Sequence, residues 1–330
     1  MEADQNRRQA LGVLGALASG AAAPAWSQTS QSEAYPNKPI RMLLPFPPGS
    51  GTDNSARIIG QHLTAQTGQP IVMDNRPGGN GFIAATAAAA APPDGHTLFI
   101  TTNTTHAANA SLFRKLPYDP IKDFAPVSLI AKSGLVLVVP AGSLIRSVAD
   151  LTALAKDRQG KLSFASGSSS TRISSELYLM QSGAKAVHVP YKGVPAALTD
   201  LVGGQVDFMI SDIGPTRALI RSGKLRAVAV TTAERHPQFA EVPTMAESGM
   251  PGYEMTAWVA AFLPAATPRS LVERMSELIQ KAVMSPSARE SFEALGGEGV
   301  PSTPQELEAF VQSETLKWAK VVKAAGIEPE

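Results

Sequence analysis

Pro39-Ile-Arg-Met-Leu-Leu-Pro-Phe-Pro-Pro-Gly-Ser-Gly-Thr-Asp53 holds an apolar run, an abrupt Pro/Gly break, and polar residues able to cap a helix. Pro39–Phe46 reads as a buried strand, broken by Pro47-Pro-Gly-Ser-Gly51. Thr52 or Asp53 is expected to cap a helix from Asn54 to Thr67, in which Ala56, Ile59 and Leu63 recur at helical spacing. Strands are expected next at Gln69–Asp74 and Thr97–Thr101, with an Ala-rich helix at Ala84–Ala91 between them. Strands alternating with helices call for a parallel sheet with right-handed crossovers.

The pattern restarts downstream. Leu135–Val139 is wholly apolar, a helix is expected near Ser147–Lys156, and Leu162–Ala165 is a strand. That strand runs into Ser166-Gly-Ser-Ser-Ser-Thr171, which precedes a helix at Arg172–Ser182. Further strands are expected at Val187–Pro190, Val206–Ile210 and Leu225–Thr231. An apolar segment from Trp258 and three helical stretches end near Ala325. Two α/β units with a helical tail predict two lobes, with two crossover segments between them forming a hinge. The expected division is 36–137 plus 256–330 for lobe 1 and 138–255 for lobe 2.

Composition narrows the function. The 330 residues carry a formal net charge of +1 and no basic run, which argues against nucleic acid and membrane-surface partners. There is no cysteine, so disulfides, thiolate metal sites and thiol nucleophiles are excluded. Arg7-Arg8 precedes an apolar run too short to span a bilayer and small residues near Ala23, Ala25 and Ser27, which predicts an export signal over 1–27, loosely of twin-arginine type. That segment holds Glu2, Asp4, Arg7 and Arg8, so the remainder keeps a net charge of +1.

Gly49-Ser-Gly-Thr-Asp53 at a strand-to-helix turn is a candidate anion cradle, because successive N–H groups at a helix N-terminus face outward and glycine permits close approach. An ordinary Gly-rich turn has the same appearance. A dinucleotide site is rejected, since Asn54 stands where G-x-G-x-x-G needs its third glycine. The serine-rich loop at 166–171 repeats the arrangement in the second half, so that two strand-end loops would face one cleft. Thr101-Thr-Asn-Thr-Thr-His106 adds Asn103 and Thr104 as candidates, with a plain helix cap as the alternative. The five histidines, His62, His96, His106, His188 and His236, show no metal-ligand spacing, and no catalytic motif is present. No metal, cofactor or catalytic group is expected. The rival is a secreted hydrolase using the Ser166–Thr171 loop, with Ser166, His106 and Asp212 as its members.

Tyr35-Pro-Asn-Lys-Pro-Ile-Arg41, Pro45-Phe-Pro-Pro-Gly-Ser-Gly-Thr-Asp53, Asn75-Arg-Pro-Gly-Gly79, Pro93-Asp-Gly-His-Thr-Leu98, His188-Val-Pro-Tyr-Lys-Gly193 and Lys317-Trp-Ala-Lys-Val-Val322 together resemble the Bug-type solute receptors of tripartite tricarboxylate transporters. The resemblance runs in order through the chain beyond the signal segment. It implies a two-lobed, Venus-flytrap α/β fold like that of type II periplasmic binding proteins, and a periplasmic, non-catalytic receptor that captures a small organic carboxylate and delivers it to membrane permease subunits; a monomer is expected. A receptor presenting its ligand to a sensor is the variant reading. Carried over by position, Pro48, Gly49, Ser50, Gly51, Thr52 and Asp53 would form the first-lobe cradle. Ser166, Ser168, Ser169, Ser170 and Thr171 would face it, and Asp212 matches a ligand-contacting position of some relatives. Arg172 stands where many relatives have histidine. A cation at a helix N-terminus is unfavourable for the helix itself, so Arg172 is expected to grip a second ligand carboxylate, with a pairing to Glu176 four residues on, or exposure to solvent, as the alternative. The ligand would then be a dicarboxylate with an aliphatic or aromatic spacer, as in terephthalate.

Overall fold

The computed structural model describes residues 35–158 and 160–330; the expected export segment, residues 1–27, lies outside them. In chain order, β1 (Ile40–Leu44), α1 (Gly51–Thr67), β2 (Ile71–Asn75), α2 (Phe82–Ala89), β3 (Thr97–Thr102) and the short α3 (Asn109–Leu112) begin one lobe. The long β4 (Phe124–Pro140) leads to α4 (Val148–Asp157), β5 (Ser163–Ser166), α5 (Ser169–Ser182), β6 (Val187–Pro190), α6 (Val194–Val202), β7 (Phe208–Asp212), α7 (Ile213–Arg221) and β8 (Leu225–Val230). The chain returns through β9 (Thr256–Pro264) to α8 (Arg269–Val283), α9 (Pro286–Ala294), β10 (Gly297–Gly299) and α10 (Pro304–Ala324).

The sheets are mixed rather than parallel throughout. β2, β1 and β3 pair in parallel, as do β6, β5 and β7, but β9 lies antiparallel to β3 and β4, and β4 antiparallel to β7 and β8. The reason is the crossing itself, because a segment that leaves a lobe and one that returns to it run in opposite directions. Phe124–Gly134 of β4 pair with β9 of the first sheet, whereas Leu135–Pro140 pair with β7 and β8 of the second. The change of sheet thus falls a little before residue 137. Gly134 sits at the change, where an added Cβ would come 2.5 Å from Thr232 Cγ2.

Thr231 ties the two crossing segments. Its N–H donates to Leu135 O (2.9 Å), its hydroxyl donates to Met255 O (2.6 Å), and its Oγ1 accepts the Leu135 N–H (2.9 Å).

Alternation along β1 divides the first-lobe core. Ile40, Met42 and Leu44 pack with Ile59 and Leu63 of α1 and Met275 and Ile279 of α8, while Leu43 joins Phe99 and the alanines of α2 on the other face. The buried side chains of α2 are all small, Ala84, Ala85 and Ala88, which lets this helix lie close to the sheet. Val194, Ala197, Leu198 and Leu201 of α6 and Ile213 of α7 cover one face of the second sheet around Val136, Val138 and Met209.

One buried carboxylate fixes α10 against β9. Glu314 Oε2 accepts from the indole N–H groups of both Trp258 and Trp318, each at 3.0 Å. Both indoles are almost wholly buried, and Lys317 Nζ lies 3.6 Å from the other carboxylate oxygen. Glu314→Ala strands two buried donors and should lower the unfolding free energy by about 2–4 kcal/mol. The urea midpoint should fall with the m-value unchanged. Glu314→Gln keeps an acceptor oxygen and should lose clearly less. A wild-type midpoint for the alanine variant would contradict this account.

Candidate functional site

The Pro47–Ser50 turn and α1 form the first wall of a cleft. Gly49 takes a left-handed backbone (φ +80°), which turns the chain back onto α1. Ser50, not Thr52 or Asp53, caps the helix: its backbone is extended and its Oγ accepts the Asp53 N–H at 3.3 Å. The Asp53 side chain instead turns inward, where its Oδ2 takes the Gly49 N–H (3.0 Å) and Arg57 Nε (2.9 Å), and its Oδ1 takes Asn75 Nδ2 (3.0 Å). Burial works to raise this carboxyl, but Arg57, Gly49 and Asn75 outweigh it and hold it below the usual carboxylate range. Asp53 therefore braces the turn. Helix geometry leaves the N–H groups of Gly51 and Thr52 without intrahelical partners, and both residues line the cavity.

The opposite wall is the first turn of α5. The second half of the serine-rich stretch is helix: Ser168 caps it in a reciprocal arrangement with Thr171, leaving Ser169 and Ser170 as its first residues. Gly167 is needed here, since an added Cβ would fall 2.2 Å from the Val194 backbone nitrogen. The lobes meet directly beside the cleft: Asn103 Nδ2 donates to Ser170 Oγ (2.8 Å) and Ser169 Oγ to Asn109 Oδ1 (3.1 Å). At the mouth, an added Cβ on Gly193 would lie 2.5 Å from Pro47 Cγ.

Between these walls lies a cavity of about 60 Å³. Ser50, Gly51, Thr52, Asn103, Ser168, Ser170 and Asp212, all candidates from the sequence, line it. Its apolar walls come from Phe46, Val194, Trp258, Phe292 and Leu295, and Lys132 is its basic residue. Sequence reasoning passed over these residues, because a tryptophan or phenylalanine in an apolar run looks alike whether it lines a cavity or fills a core.

The other candidates stand behind the lining. Pro48 is exposed on the turn. Thr104 is wholly buried where a tight turn extends β3, and its N–H donates to Thr102 Oγ1. Ser166 bonds His188 Nε2 at 2.7 Å, Ser169 is engaged by Asn109, and Thr171 serves the cap. Arg172 is a correction to expectation. It is the fourth residue of α5, so it projects from the helix side rather than from its tip. Its Nη1 reaches Glu330 Oε1 at 2.7 Å, and neither the cavity nor Glu176 receives it.

The members of the rival hydrolase site do not assemble. His106 is wholly buried, its ring stacked on Phe262 at 4.0 Å between centroids, with Nδ1 on Thr105 Oγ1; burial pushes it down to about 3. Ser166 meets His188 instead, which burial and the nearby Arg172 push down to about 4, so it is held neutral beside a cation. Asp212 bonds neither.

The profile of the family described as "Tripartite tricarboxylate transporter family receptor" matches residues 55–327. A Pseudomonas protein described as "UPF0065 protein in tcbD-tcbE intergenic region" is 40% identical over 299 residues, covering 90% of this chain and 89% of the relative. Protein BugT of Bordetella pertussis is 35% identical, covering 97% of this chain and 98% of its own length. Among solved structures, "R. palustris Rpa4515 with adipate" superposes with a TM-score of 0.88 at 36% identity, covering 90% of this chain and 100% of that one. "MatC (Rpa3494) from Rhodopseudomonas palustris with bound malate" gives 0.83 at 32% identity, covering 87% and 100%. The chain belongs to the tripartite tricarboxylate transporter receptor family, a family of solute receptors rather than enzymes.

Proposed function

We propose that this chain is a periplasmic receptor that closes over a small organic carboxylate and hands it to the membrane permease subunits of a tripartite transporter. The observation that carries the reading is the convergence of two helix N-termini, those of α1 and α5, on one cavity from opposite lobes. Each presents free N–H groups and the positive end of its dipole to the same space, and an anion there is worth about 0.3–2 kcal/mol per terminus from the dipole alone. Capture by backbone donors needs no arginine in the cavity. The solved relatives carry adipate and malate, which supports a short dicarboxylic acid for this chain. The apolar walls at Val194, Trp258 and Phe292 suit an aliphatic or flat aromatic spacer between the acid groups.

Residues 1–27 would be removed on export, and the lobes at 36–137 plus 256–330 and 138–255 would move about the β4–β9 crossing. Calorimetry with adipate, malate and terephthalate on the exported form should give one site per chain and return the ligand unchanged.

Gly51 offers a clean perturbation. A Cβ there would meet only the Asp212 side chain, at an ordinary contact of 3.7 Å to Oδ2, so Gly51→Ala should fold normally while placing a methyl group inside the cavity. Overpacking of about 1–3 kcal/mol corresponds to an affinity loss of about tenfold or more. Wild-type affinity in this variant would refute the cradle.

Gly193→Ala tests closure separately. The backbone at Gly193 (φ 176°) is extended and accepts any residue, but its Cβ would collide with Pro47 across the mouth. The unliganded variant should be as stable as wild type, bind about tenfold more weakly, and scatter at small angles with a larger radius of gyration when saturated with ligand. A ligand-saturated radius equal to wild type would show that the lobes do not close at this contact.

A further inference from the structure

α9 ends at the wall of the cavity, with Phe292 and Leu295 lining it and Gly297 following in β10. The end of a helix leaves carbonyls without intrahelical donors, and its dipole is negative there. The chain's own turn satisfies part of this end: Leu295 N–H donates to Ser291 O (3.1 Å) and Gly296 N–H to Glu293 O (2.9 Å).

The rest is capped from the other lobe. Arg217 Nη1 of α7 donates to Ala294 O, and Gln238 Nε2, from the segment after β8, donates to Glu293 O. His236 Nε2 donates to Gly296 O at 3.1 Å, while its Nδ1 accepts the Gln238 N–H at 3.2 Å, a pair of roles that requires the neutral ring with its proton on Nε2. Gln238 Oε1 also accepts from Arg217 Nη1 at 3.3 Å, so the three side chains act as one unit. The backbones meet just as closely. A Cβ added to Gly214, at the start of α7, would come 3.0 Å from Leu295 O, and one added to Gly296 would come 2.1 Å from Ile213 Cγ2.

This placement matters to an anion. α1 and α5 bring positive dipole ends to the cavity, whereas α9 brings a negative one to the same space. Arg217 sets a cation on that end without lining the cavity itself. We propose that Arg217, His236 and Gln238 are positioning residues that clasp the end of α9 across the lobe boundary. Lobe closure then completes the Phe292–Leu295 wall and neutralises a helix end that would repel the ligand's carboxylate, in one event. The clasp acts on the ligand without touching it, and its role rests on the carboxylate-receptor reading above.

A ligand held behind this wall leaves only after the clasp opens, so the loss of the clasp is felt in the dissociation rate. Association takes place through the open cleft and is unaffected.

Two measurements on the full exported chain test this. The sequence contains no cysteine, so an introduced pair reacts alone. Gln238→Cys combined with Glu293→Cys and treated with a short bis-maleimide should give an internally cross-linked chain, in higher yield when adipate is present. No internal cross-link, with or without adipate, would show that the second lobe does not reach the end of α9 and would overturn the clasp. In the second measurement, adipate release is followed by intrinsic fluorescence. Arg217→Ala combined with Gln238→Ala should release adipate about tenfold faster, the equivalent of two hydrogen bonds, with the association rate unchanged. Arg217→Lys keeps the cation and a donor and should recover most of that loss, whereas the uncharged Arg217→Met should not. A double variant with a lower urea midpoint but wild-type release would make the contact structural only and overturn the proposal. Equal losses for Arg217→Lys and Arg217→Met would overturn the role given to the cation. If the wild type itself binds none of adipate, malate and terephthalate, the carboxylate reading falls, and the role of the clasp with it.

Discussion

The β4–β9 ladder is the constraint on which the rest depends. A single strand, Phe124–Pro140, belongs to both sheets, and the returning strand Thr256–Pro264 pairs with its first-lobe half. Because the two segments are held side by side, and Thr231 binds both at the crossing, the lobes have one axis about which to turn. That axis decides which strand ends can meet. The carboxyl ends of β1 and β3 in one lobe and of β5 and β7 in the other open onto the same gap, and the helices that follow β1 and β5 necessarily begin there.

The chemistry follows from that placement with few side chains. A helix start offers N–H groups that the helix cannot use, and here each start is shaped by its own residues: Ser50 and Ser168 cap, Asp53 and Thr171 brace the preceding turn, Gly51 adds no side chain to the cavity, and Gly167 lets its turn pack against the Val194 backbone. The charged pair Asp53–Arg57 lies behind the cradle instead of within it. An ionised side chain in the cavity would contribute a full charge that has to be desolvated on closure, whereas backbone dipoles are already fixed and give up less hydration. Lys132 and Asp212 are the exceptions among the lining residues, and Pro215 leaves Asp212 without a capping bond.

Much of this was legible in the sequence. Strand–Gly/Ser turn–helix occurs once per lobe, and both occurrences line the cavity, as do Asn103 and Asp212. What escaped reading has physical causes. The serine run 166–171 looks like a loop because serine is a weak helix former, yet the Ser168–Thr171 cap draws Ser169 onward into helix; Arg172 was thereby placed at a helix tip when it belongs to the side. Its partner, Glu330, is 158 residues away in sequence, beyond the reach of any local pattern. β4 was seen only as Leu135–Val139, because Pro126, Lys132, Ser133 and Gly134 interrupt the apolar run where the strand leaves one core for the other. The antiparallel return of β9 could not be read from alternating elements, which carry no sign of strand direction.

The central claim is that the α1 and α5 N-termini grip one ligand from both lobes. A crystal structure of the exported chain grown with adipate tests it most directly. The account predicts one carboxylate within hydrogen-bond distance of the Gly51 and Thr52 N–H groups, and a ligand chain running past Trp258 toward the first turn of α5. A ligand bound outside this cleft, or one whose carboxylates are held by Arg172 or Lys132 while the Gly51 and Thr52 N–H groups stay unengaged, would contradict it.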